Sequence, residues 1–98
     1  MGSLVDHPSH YNAEGRKECI VEMLEKYGFV ATATFCLLSA YKYLYRAGEK
    51  EGNSEAQDVD KAKWYFEWVT YNMFFHGCYG LNMDLYRDIE VMLNKLTG

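Results

Sequence analysis

Apolar residues recur at helical spacing in three stretches of the chain and fill most of a fourth. From Arg16 to Tyr27, Cys19, Ile20, Met23, Leu24 and Tyr27 fall three and four residues apart, and Glu18, Glu22, Glu25 and Lys26 take the other side. This predicts an amphipathic helix over 16–27, closed by Gly28. Residues 29–47 begin as an apolar run, pass into Y-K-Y-L-Y-R and stop at the polar link G-E-K-E-G-N, which predicts a second helix running from the core to a charged rim. Ser54 with Gln57 three residues later is a capping-box signature for a third helix over 55–75. After the glycine-marked loop H-G-C-Y-G-L-N, Asn82 suits an N-cap, Asp84 the first turn, and 83–96 a fourth helix. The expected fold class is all-α: one small four-helix domain over 1–98, with an extended N-terminal segment over 1–15.

The second half of helix three carries Trp64, Tyr65, Phe66, Trp68, Val69, Tyr71, Met73, Phe74 and Phe75, apolar or aromatic on nearly every side. A helix of that kind needs cover all round, and 98 residues cannot wrap one completely. The expectation is a homo-oligomer with helix three at the subunit interface.

Composition narrows the classes. Hydrophobic residues at 49% exclude a disordered chain, and the interspersed charge leaves no membrane span. A net charge of -4 argues against general nucleic-acid binding, which rests on an excess of Lys and Arg, yet leaves room for a local basic pocket that takes a small anion. Cys19, Cys36 and Cys78 form no C-x-x-C pair and follow no apolar signal segment, so reduced, buried thiols in a soluble cytoplasmic protein are expected.

Ser39, Lys42, Arg46 and Lys50 form a stripe at three- and four-residue steps if helix two persists through Gly48, and three cations on one stripe suit phosphate oxygens. The competing reading is a solvated helix face paired with nearby acids. On helix three, Asp58, Lys61 and Tyr65 share a face beside Lys63 and Trp64, an arrangement that can stack a base and hold its phosphates, or simply a core tryptophan flanked by lysines. In D-H-P-S-H-Y-N, Pro8 keeps His7 out of helical geometry, so His7, His10 and Tyr11 sit on an extended segment. Two histidines without further ligands make a weak zinc signal. No metal site is therefore assigned. His76, beside Gly77, reads as a helix-end residue.

Acids three residues apart, Glu22 with Glu25 and Glu55 with Asp58, resemble loosely the Mg²⁺-holding pairs of all-α nucleotide pyrophosphohydrolases, against a plainer reading as surface acids near helix N-termini. No G-x-x-x-x-G-K-[ST] is present, which excludes a P-loop enzyme as far as a motif can.

Taken together, H-P-S-H-Y-N, the G-x-x-E-C-I of Gly15 to Ile20, K-Y-L-Y-R-A-G-E-K of Lys42 to Lys50 and D-V-D-K-A-K-W-Y of Asp58 to Tyr65 strongly resemble the SaV-like family of small phage-encoded proteins. That domain, largely of unknown function, also occurs in a phage nucleotide kinase lacking a P-loop. The resemblance implies a phage protein working in the cytoplasm of an infected bacterium, with nucleotide handling as its activity. By position it draws in His7, Pro8, His10, Tyr11, Glu18, Lys42, Tyr43, Arg46, Lys50, Asp58, Lys61, Ala62, Trp64 and Tyr65. One departure stands out: Leu38-Ser39 replaces the family's usual Gly-Asn, and Ser39 is shorter and offers fewer hydrogen-bonding groups than asparagine.

These observations favour an oligomeric nucleotide-binding protein in which the N-terminal segment closes over the helix-two cations and the start of helix three. Lys42, Arg46, Lys50 and Lys61 would hold phosphate; Tyr11, Tyr43, Trp64 or Tyr65 would contact the base; His7 and His10 would hydrogen-bond sugar or phosphate. Such a protein could sequester a nucleotide, including a cyclic nucleotide signal of host defence. The alternatives are a nucleotide phosphotransferase or hydrolase using Glu18, Glu22, Glu25, Glu55, Asp58 and His10, with Mg²⁺ as its cofactor, and an inhibitor that binds a host protein through the aromatic helix.

Overall fold

A computed structural model describes residues 18–47, 49 and 54–97. Among them the order is α1 (Cys19–Tyr27), α2 (Phe29–Tyr45), α3 (Glu55–His76) and α4 (Met83–Thr97), all α-helical. His7, His10, Tyr11 and Lys50 lie outside the described residues, as does the extended segment over 1–15.

Local signals set the helix ends. The Ser54 hydroxyl accepts from Gln57 N–H at 3.1 Å and the Gln57 side chain accepts from Ser54 N–H at 2.9 Å, a complete capping box at α3. Asn82 Oδ1 accepts from Leu85 N–H at 3.0 Å and starts α4. Gly28, at φ 90°, donates to Leu24 O and is the single residue between α1 and α2. α2 stops two residues short of the expected 47: Arg46 leaves helical geometry at φ -107° and ψ 19°. The predicted stripe therefore continues along α2 only as far as its last turn.

α2 is the central element, in contact with each of the other three helices. Its buried positions Phe29, Ala33, Cys36, Leu37, Ala40 and Leu44 repeat at three and four residues, and α3 contributes Val59, Ala62 and Val69 to the same core. Ala33, Cys36, Ala40 and Ala62 are wholly buried small residues, and small side chains let two helices approach closely. Phe29 at the start of α2 stacks on His76 at the end of α3, centroids 5.0 Å apart, whereas Tyr43 near the end of α2 stacks on Tyr65 midway along α3. The two helices therefore run antiparallel. His76 is a helix-end residue as expected, with the added role of closing the ring stack on Phe29.

α4 supplies Ile89 and Leu93 to the core and is tied to α3 by Tyr86, whose ring stacks on Phe66 at 4.6 Å and whose hydroxyl lies 2.7 Å from Thr70 Oγ1. α1 buries no residue completely; Ile20 and Leu24 pack against the core from its edge.

One expectation about exposure changes. Cys36 is buried, but Cys19 and Cys78 are exposed, because the apolar side of α1 lies at the core's margin and Cys78 follows Gly77 in the α3–α4 loop. The apolar second half of α3 is not covered within one chain: Tyr71, Phe74 and Phe75 are 63%, 83% and 68% exposed. No helix among the described residues is long and apolar enough to cross a membrane.

Because Ala62 is wholly buried in the core that α3 shares with α2, Ala62→Leu should disturb the packing of the two helices. The expected cost is about 1–3 kcal/mol in urea unfolding, with the slope unchanged.

Candidate functional site

The antiparallel packing of α2 and α3 places residues far apart in sequence around one ring. Lys42 Nζ, Arg46 Cζ and Lys61 Nζ lie 5.0, 5.1 and 5.3 Å from the centroid of Tyr43. Since all three share one reference point, no two can be further apart than about twice that distance. The sequence stripe placed Lys42 beside Arg46; the helix pairing adds Lys61 from the second turn of α3.

The Tyr43 ring also runs nearly parallel to Tyr65, at 6.1 Å and 10°. Tyr65 in turn meets Phe35 edge-on at 6.0 Å and Trp64 edge-on at 5.3 Å. Phe35, Ser39 and Tyr43 follow one another at four-residue steps on α2, and Tyr65 touches both outer members, so it lies across the level of Ser39. Ser39 is buried there. A short side chain at this position leaves room for the Tyr65 ring, a physical reason for a small residue where the resemblance leads one to expect asparagine.

Attraction between cations and the negative ring face contributes roughly 0.5–1 kcal/mol each at partly exposed sites. Repulsion opposes it: at the widest separation the shared ring allows, ~10 Å, two unit charges in a medium of effective dielectric 20–80 repel by at least roughly 0.4–1.7 kcal/mol. A shared ring thus tolerates the three cations without neutralising them. Two ion pairs among the described residues, Lys26 with Glu22 and Arg87 with Asp84, lie away from the cluster. Arg46 Nε is buried and meets no hydrogen-bond acceptor among the described residues. A buried charged donor of this kind favours an incoming anion. The face also carries one acid, the wholly buried Asp58, three residues before Lys61.

The structure thus assembles six of the expected site residues: Lys42, Tyr43, Arg46, Lys61, Tyr65 and, through Tyr65, Trp64. Ser39, expected on the cation stripe, is buried beside Tyr65, and Phe35 is a member that the sequence reading did not name, since its part depends on where Tyr65 lands. The acid pairs do not converge. Glu22 is exposed and paired to Lys26, Glu55 is exposed in the first turn of α3, and no group of three His, Cys, Asp or Glu side chains comes together among the described residues.

Residues 5–67 match a family described as a protein of unknown function (DUF3310). The chain belongs to that family. The shared span includes the whole cation and ring cluster and stops before Tyr71, Phe74, Phe75 and α4. Comparisons with curated proteins and with solved structures each give no match.

Beneath the cluster, burial pushes the Cys36 thiol from 9.0 up to about 12. Burial, then neighbouring Tyr43 and Cys36, also raise the Tyr65 hydroxyl above 10.0. Both native groups hold their protons more tightly than the unfolded chain does. Their contribution is intact below about pH 9, and stability should fall as pH rises from 9 towards 12, measured by chemical denaturation. In the native protein at pH 8, iodoacetamide should modify Cys19 and Cys78 and spare Cys36 until the fold is lost, as read by mass spectrometry.

Proposed function

We propose that this protein binds a nucleotide through its phosphates at the Lys42, Arg46 and Lys61 cluster. The observation that carries the reading is three cations from two helices around Tyr43, with a buried Arg46 Nε that lacks an acceptor among the described residues. A planar guanidinium and two ammonium groups suit a polyphosphate better than a single carboxylate. Because Tyr43 is already covered by Tyr65 and the cations, its role is to organise charge. His7, His10, Tyr11 and Lys50 would complete the site from the segments that flank α1 and α2 in sequence.

Membership in a family of unknown function leaves the activity open, and the likeness to SaV-like phage proteins favours nucleotide handling in an infected bacterial cytoplasm. Sequestration, including that of a cyclic nucleotide used as a defence signal, needs no catalytic group and fits the residues assembled at the cluster.

Incubation with a panel of nucleotides, with and without Mg²⁺, followed by mass analysis and thermal melting, tests the proposal. Nucleotides should return intact while raising the melting temperature, and a concentration a hundredfold over Kd should add about 2.7 kcal/mol of stability. Arg46→Ala should weaken affinity roughly 10- to 100-fold by titration calorimetry, the loss of a charged hydrogen bond. Turnover would replace sequestration with an enzyme of the phosphotransferase or hydrolase class. Absence of both turnover and stabilisation would overturn nucleotide handling.

A further inference from the structure

We infer that two copies of the chain pair about a two-fold axis, with their α3 helices antiparallel and Phe74 of each seated in the α3–α4 groove of the other. This inference is independent of the nucleotide reading, since the groove lies outside the cation cluster.

The groove has a volume of about 420 Å³, and Phe66, Thr70, Phe74 and Leu93 are among its lining residues. Along α3, Phe66, Thr70 and Phe74 are spaced by four residues, one helical turn apart: ring, small residue, ring. An antiparallel copy centred on Thr70 places Phe74 of each chain beside Phe66 of the other, so one surface serves as both knob and hole. That self-complementarity is what a two-fold interface requires, and it favours a second copy over an unrelated partner. Thr70 is a satisfied centre for the crossing, its hydroxyl held by Phe66 O at 3.1 Å and by the Tyr86 hydroxyl at 2.7 Å.

Charge permits the pairing. The chain carries a net -4, yet the charged residues lining the groove, Lys63 and Glu67, cancel, so two acidic molecules would meet on neutral faces. Area requires more than the rings alone. With aromatic side chains covering about 150–250 Å² each, the exposed parts of Tyr71, Phe74 and Phe75 offer on the order of 400 Å² per copy. A standard interface takes about 800 Å² per partner, so the groove walls on α4, including Asn94 and Thr97, must take part. A contact through α3 alone would be too small.

The test is the mass of the full chain by light scattering at micromolar concentration, for the unaltered protein and for Phe74→Glu and Tyr71→Glu. Twice the chain mass is expected for the first, and one chain mass for the variants with unchanged far-ultraviolet circular dichroism. Both side chains are largely exposed within one chain, so the protomer fold should survive; should one variant fail to fold, the other decides. A single-chain mass for the unaltered protein would overturn the inference, as would folded variants that remain paired.

Discussion

The close approach of α2 to α3 through small buried residues is the constraint on which the rest of the structure depends. Ala33, Cys36 and Ala40 on one helix and Ala62 on the other are wholly buried, so helix spacing is set by backbones and short side chains. Larger side chains then have fixed places to go. Phe29 reaches His76 and Trp68 at one end, and Tyr43 reaches Tyr65 at the other. With α2 touching every other helix, a shift in this pairing would propagate to α1 and α4.

The chemistry follows from that spacing. Cations on separate helices gather around a ring only if the register between the helices is held, because a one-turn slip of α3 would carry Lys61 about 5 Å along the axis and away from Tyr43. Three positive groups so close do little for stability, since repulsion and ring attraction are of similar size. The proposed phosphate site rests on that grouping, with the α2–α3 pairing holding the three donors together.

The sequence was most legible where the cause is local. Ser54 with Gln57, Asn82 and Gly28 mark helix ends through bonds spanning a few residues, and each is found where the pattern put it. Periodicity also put Lys42 beside Arg46. It could not bring Lys61 to them, since that depends on which turn of α3 meets which turn of α2. Nor could it distinguish a residue on an apolar face from one under cover: Cys19 lies on the apolar side of α1 and is nonetheless exposed. For α3 the pattern was legible: its apolar second half implied more surface than one chain covers, and Tyr71, Phe74 and Phe75 are left open.

The central claim is that two helices build one anion site, and a double-mutant cycle on ATP affinity tests it most directly. Arg46→Ala, Lys61→Met and the pair would each be titrated by calorimetry at fixed salt. If both cations hold the same phosphate chain, each single change weakens binding and the double change costs at least about 0.5 kcal/mol less than the two together. Affinity indifferent to Lys61, or losses that simply add, would contradict a shared site.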